Sequence, residues 1–135
     1  MKRRLFLVVI FAICYFGVNS QTLVGKYSHF TSKIMGGYKI SQTSELTIQI
    51  EGNNKITYSI TATLVDEYSG GRPQYSYYSG DIKKVTPLKY KFYGDAYGER
   101  GAYITFKKVP KDPVGELLIS FSPGRGNQMS FVRQE

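Results

Sequence analysis

"SELTIQIEGNNKITYSITATLV", residues 44–65, decides the fold. In its first half Leu46, Ile48 and Ile50 fall on one side of an extended chain, and Thr47 and Gln49 on the other. In its second half Ile56, Tyr58, Ile60, Ala62 and Leu64 alternate with Thr57, Ser59, Thr61 and Thr63. Side chains on a strand point alternately to opposite faces, so a period of two in β-branched and aromatic residues reads as a half-buried strand. Between the halves lie Gly52, Asn53 and Asn54, which tolerate the positive φ that a tight reversal needs. The stretch is therefore an antiparallel hairpin with one apolar face.

Working outward, the same alternation marks further strands at 24–30, 35–41, 74–85, 88–94, 102–109, 116–122 and 129–133. No amphipathic helix of comparable clarity follows residue 20. The links are short and polar, as in DEYSGGRP, KDPVG and SPGRGN, which favours antiparallel neighbours. The expected fold is all-β, an up-and-down meander of eight or nine strands. Closure into a small barrel removes the exposed sheet edges and is preferred; a two-sheet sandwich is the alternative.

The chain opens with three basic residues, Lys2 to Arg4, then an apolar run from Leu5 to Phe16, then small and polar residues up to Ser20. That is the layout of a secretory signal peptide, and the run is shorter than the roughly 20 residues of a membrane span. Residues 1–20 are assigned to the signal and 21–135 to a single domain that is secreted or periplasmic. The one cysteine, Cys14, lies inside the apolar run, where a lipid anchor is not expected because Ile13 precedes it. Cleavage leaves no thiol for disulfides, nucleophilic catalysis or zinc. It also leaves fifteen basic residues against ten acidic, a mildly basic balance suited to anionic partners.

A second dense stretch, "KFYGDAYGERGAYITF" at 91–106, places three glycines, two carboxylates and an arginine between aromatic runs. Pairing residues whose numbers sum to 196 puts Phe92 opposite Ile104, Tyr90 opposite Phe106 and Lys89 opposite Lys107. The connection then centres on Gly98, with Tyr97, Glu99 and Arg100 at the rim and the carboxylates neutralising Arg100. Asp95 and Glu99 follow no calcium-loop spacing, and His29 stands alone, so neither a metal nor a cofactor is expected. The acidic residues fall mostly in turns; only Asp81, inside a strand, is placed for the burial a catalytic acid needs. An enzyme working through buried carboxylates is the third functional reading.

Gly25-Lys26-Tyr27 and Arg133 support a resemblance. The chain resembles the lipocalins and lipocalin-like small barrels of the calycin group, which carry Gly-x-Trp on the first strand and a late arginine packed across that tryptophan. Here tyrosine stands for tryptophan. The resemblance implies that Gly25, Tyr27 and Arg133 close one end of the barrel and that the mouth takes a small, mostly apolar molecule. The inward rings Tyr27, Tyr58, Tyr90, Phe92, Phe106, Phe121 and Phe131 argue instead for a filled interior with a shallow pocket at one end.

The chain has twelve tyrosines and no tryptophan, with exposed tyrosines expected beside Lys83, Lys84, Lys89, Lys91 and Lys107. Tyr75 and Tyr77 share one face and Tyr78 takes the other. The candidate ligand-binding residues are Tyr58, Tyr77, Tyr97, Glu99 and Arg100. The first functional reading is a non-catalytic binding module for a small apolar ligand or a cell-envelope component. The second is an exported protein-interaction factor such as an enzyme inhibitor or immunity protein. The partners to be considered are a small apolar molecule, an anionic glycan or an exported protein; association with a membrane surface without spanning is compatible, and nucleic acid is not expected.

Overall fold

The computed structural model describes residues 22–53, 55–108, 110, 113–121 and 128–134. The segment read as a signal peptide, with Cys14, lies outside the described residues. Eight strands run in chain order: β1 Gly25–Met35, β2 Tyr38–Glu51, β3 Lys55–Asp66, β4 Gln74–Thr86, β5 Lys89–Gly94, β6 Tyr103–Thr105, β7 Glu116–Ser120 and β8 Gln128–Gln134. Each is antiparallel to the next, and β8 returns to β1 to close a barrel. The meander is the one expected, and the sandwich is excluded.

Two boundaries differ from the sequence expectation. The run at 35–41 is not a strand of its own, because Gly36 and Gly37, at φ +58° and +83°, form a two-residue turn between Met35 and Tyr38. Positive φ at both central positions is the hairpin turn whose twist matches that of its strands, so the flanking halves belong to the longer β1 and β2. The run at 102–109 contracts to Tyr103–Thr105, with Val109 outside the described residues.

The barrel is closed along only part of its height. Among the described residues β1 meets β8 through Lys26, Tyr27 and Ser28, whereas its pairing with β2 continues to Met35 and that of β2 with β3 to Asp66. The upper parts of β1–β4 therefore project beyond the closed section as a four-stranded sheet. The core lies in the closed section, where Tyr27, Leu46, Ile48, Ile60, Tyr90, Phe92, Ile104, Leu117, Ile119 and Phe131 are buried. At the lower end the chain crosses beneath the barrel. Leu23 is buried there, its carbonyl accepts the Tyr27 hydroxyl at 2.8 Å, and Arg133 stands in register with Tyr27.

The 91–106 stretch is a hairpin, but its register is shifted by two residues. Tyr90 lies opposite Ile104, Lys91 opposite Tyr103 and Lys89 opposite Thr105, not Lys107; the Phe92 N–H donates to the Ala102 carbonyl at 2.9 Å. A shift of two keeps every side chain on its face, so Phe92, Ile104 and Phe106 still point inward. What changes is the connection, which turns back at Gly94 (φ +119°) and Ala96 (φ +51°) and carries Tyr97 into the barrel. Burial of that ring is what the expected register would have forgone.

Glycine makes this close approach possible at two crossings. A Cβ on Gly80 would lie 2.0 Å from the Tyr93 carbonyl oxygen, and one on Gly98 would lie 2.2 Å from the Gly94 nitrogen. Both neighbours are backbone, which cannot move aside. Gly80→Ala and Gly98→Ala are each expected to cost about 3 kcal/mol or more in chemical denaturation, while Gly115→Ala, which meets nothing within 4 Å, leaves stability within about 0.5 kcal/mol. Equal behaviour of the three variants would show that the loop does not fold back as described.

Candidate functional site

A concavity lies where the closed section ends and the projecting sheet begins. Along β2 the inner face reads Ile48, Leu46, Ser44 and Gln42; along β4 it reads Ile82, Gly80, Tyr78, Ser76 and Gln74. Each row changes from apolar to polar as it leaves the core. Ser44 is the buried polar residue at that change, 3% exposed. The upper inner face, the 95–101 connection and the start of β8 enclose a cup of about 440 Å³. Ile60, Ala62 and Leu64 give it an apolar wall, and Gln42, Gln74 and Ser76 a polar one. Its volume is in the range of small-molecule pockets.

Tyr97 is the floor of the cup. Its ring lies edge-on to Phe92, Phe121 and Phe131, with centroids 5.7, 5.2 and 6.4 Å away; such edge contacts contribute about 0.5–1.5 kcal/mol each beyond area burial. Among the described residues the hydroxyl reaches the Met129 sulfur, at 3.7 Å, a weak acceptor. Tyr58 holds the connection from below, donating its hydroxyl to the Asp95 carbonyl at 3.0 Å while its ring packs edge-on to Phe92. Tyr58, expected in the site, is thus a buried support beneath it.

Arg100 stands at the rim, with its guanidinium 4.0 Å from the Phe121 ring centroid. The expected neutralisation by Asp95 or Glu99 does not occur: the ion pair among the described residues is Lys55–Asp81, at 3.5 Å. The connection's backbone is committed to turns, with Arg100 N–H donating to the Ala96 carbonyl and Ala102 N–H to the Tyr97 carbonyl. Both carboxylates are turned to solvent. The cup therefore offers a cation, side-chain amides and hydroxyls above an aromatic floor.

Of the residues singled out in the sequence, Tyr97 and Arg100 meet in the cup, while Glu99 is exposed outside its lining. Tyr77 is on the outer face with Tyr75, 67% and 73% exposed. It borders a polar groove of about 540 Å³ across β2–β4. Gln42, Ser44, Gln74 and Ser76 were missed. Their signal was present: polar residues at core parity mark where a strand leaves the core.

Gly25, Tyr27 and Arg133 do meet, at the opposite end. The guanidinium carbon is 5.9 Å from the Tyr27 ring centroid and would lie 3.1 Å from a Cβ on Gly25, so the glycine gives the arginine its room. His29 packs on Phe131 at 5.3 Å, and its Nδ1 lies 2.8 Å from the Ser130 carbonyl, which can only accept; Nδ1 therefore carries the proton. Asp81 faces outward to Lys55 and is not a buried acid. Lys84, grouped with the exposed lysines in the sequence, has the inward parity of Ile82. Its ammonium is 6.0 Å from the Tyr90 centroid, and burial lowers its pKa. Among the described residues no cluster of three or more His, Cys, Asp or Glu could hold a metal.

Burial pushes the Tyr97 hydroxyl up from 10.0 to about 12, against the opposing pull of Arg100. Burial also raises Tyr27, Tyr58 and Tyr90. An unfolded tyrosine ionises near pH 10 while the folded one keeps its proton, so this stability is complete below about pH 10 and is lost as pH rises towards 12. For Tyr97 alone the loss is about 2–3 kcal/mol. In urea titrations at pH 7 and above pH 10, Tyr97→Phe should show a shallower alkaline fall than the parent protein, and an equally steep one would mean that the hydroxyl is not buried. Comparison with known protein families, curated sequences and solved structures finds no match to the chain, so its function is to be read from this geometry.

Proposed function

We propose that the protein is an exported, non-catalytic binding module that takes a small ligand in the cup, with the ligand's apolar body against Ile60, Ala62 and Leu64 and an anionic group towards Arg100. The observation that carries this reading is the pairing of a filled barrel with an open cup whose rim arginine has no carboxylate within 4 Å among the described residues. An exposed cation held against the Phe121 ring favours a carboxylate or phosphate over a neutral group. The lipocalin-like resemblance belongs to this proposal through the mouth of the barrel and the Gly25–Tyr27–Arg133 end. The ligand sits above the ring-filled interior instead of within it.

One observation favours the second reading, an exported protein-interaction factor. On the projecting sheet Phe30, Ile34, Met35, Tyr38, Tyr75 and Tyr77 are exposed, and beyond Ser28 β1 has no ladder partner on the side away from β2 among the described residues. Tyrosine-rich surface beside an open strand edge is the kind that anchors a protein partner.

Native mass spectrometry of the protein from its own host, purified without delipidation, separates the two. A retained small molecule, absent from the cup-filling variant Ser76→Phe, is the expected result; for Arg100→Gln the ligand's dissociation constant should rise about tenfold or more. A co-purifying protein that survives Ser76→Phe would favour the second reading. Bare protein that also takes up nothing from envelope extracts would defeat both.

A further inference from the structure

The outer face of β4, β5 and β6, on the far side of the barrel wall from the cup's chemistry, carries a different site. Lys83 stands directly opposite Lys91 in the β4–β5 ladder, and Lys91 directly opposite Tyr103 in the β5–β6 ladder. Both ammoniums of the first pair cover the same ring: Lys83 Nζ is 5.1 Å and Lys91 Nζ 5.5 Å from the Tyr93 centroid. One pleat further along β5, Lys89 Nζ is 4.6 Å from the Tyr103 centroid. Like charges directly opposite each other destabilise a sheet, and here the nearest in-register acid, Asp81 opposite Tyr93, is engaged with Lys55. Among the described residues no carboxylate lies within 4 Å of Lys83, Lys89 or Lys91.

We propose that this face is a docking site for an acidic polysaccharide, whose carboxylate or sulfate groups are received by Lys83, Lys89 and Lys91 while its sugar rings lie along Tyr93 and Tyr103. Three features select this occupant. Neighbouring strands are about 4.8 Å apart and alternate residues about 7 Å apart along a strand, so the three cations form a compact row on a flat surface and not a pocket for one ion. The Tyr93 and Tyr103 rings lie against the ammoniums, and the strongly exposed rings of β4, Tyr75 and Tyr77, stand further up the strand than the lysine row, so the row presents cations beside ring faces and not a continuous apolar surface to a bilayer. The face also lacks arginine, the side chain suited to bidentate phosphate contacts. The site is independent of the cup: its residues are on outward positions of β4–β6, and none lines the cup.

Calorimetric titration with polygalacturonate and with heparin oligosaccharides tests the assignment, the first probing carboxylate and the second sulfate recognition. The variant Lys83→Gln/Lys89→Gln/Lys91→Gln is expected to bind about thirtyfold more weakly, with the slope of log affinity against log salt reduced by about two. A control that removes the same charge elsewhere, Lys26→Gln/Lys33→Gln/Lys39→Gln, should retain affinity within about threefold. Equal loss in the control would overturn the site. Tighter binding to phosphatidylglycerol vesicles or to single-stranded DNA than to either polysaccharide would overturn the class of ligand. Because Lys83 and Lys91 repel each other, Lys91→Gln alone should keep or raise the melting temperature, and saturating polysaccharide should raise that of the parent protein; a fall in both would defeat the proposal.

Discussion

The insertion of Tyr97 into the wide end of the barrel is the constraint on which the other features depend. A closed eight-stranded sheet is just wide enough to be filled by side chains or to hold one ligand, and Tyr97 decides between the two. Its ring completes the stack formed by Phe92, Phe121 and Phe131, which ends the core at one level. That level becomes the floor of the cup, and three residues later the same connection delivers Arg100 to the rim. The insertion is possible only because Gly80, Gly94 and Gly98 let three backbone segments approach more closely than any Cβ allows. A chain with alanine at those positions would have to hold the connection away from the barrel, and the floor would be lost with it.

The two ends of the closed section are secured by related means. At the lower end Gly25 leaves room for Arg133, which lies across Tyr27 while the Tyr27 hydroxyl reaches back to Leu23. At the upper end Gly98 leaves room for the turn that carries Tyr97, while the Tyr58 hydroxyl reaches the Asp95 carbonyl. A missing Cβ admits a large side chain at the lower end and a backbone turn at the upper, and at both ends a tyrosine oxygen is satisfied by a main-chain carbonyl, as burial of a polar group requires. The described residues contain no cysteine, so these two closures stand where a small domain can instead use disulfide staples.

Most of the architecture was legible because alternation specifies which face of a strand is buried. Leu46, Ile48, Ile56, Tyr58 and Ile60 were identified as core from parity alone, and they are core. Register was less legible for the same reason. A slip of two residues preserves every inward and outward assignment, so parity could not distinguish the register that leaves Tyr97 in solvent from the one that buries it. The difference lies in a contact between Tyr97 and rings of β5, β8 and the end of β7, far apart in sequence. Lys84 escaped notice because a charged residue at inward parity near a strand end reads as exposed; its place beside the bulge between Lys84 and Thr86 and near the Tyr90 ring is a tertiary feature.

The division of the strands into a closed lower section and an open upper sheet separates stability from recognition. In the closed section inner faces are apolar and filled, so little there is free to contact a ligand. Above it, Ser44, Gln42, Ser76 and Gln74 occupy positions that the same alternation would otherwise give to the core. Gln42, Ser76 and Gln74 can stand there because β1 and β8 have parted and water reaches the inner face, while Ser44 lies buried at the boundary. The outer face of β4–β6 is a second case of the same separation. Its backbone is fixed by the filled core behind Ile82, Tyr90, Phe92 and Ile104, so Lys83 and Lys91 cannot relieve their opposition by a shift of the ladder. A rigid wall thus keeps like charges in register, and their repulsion is left to be offset by solvent, by the Tyr93 ring, and by whatever anion arrives.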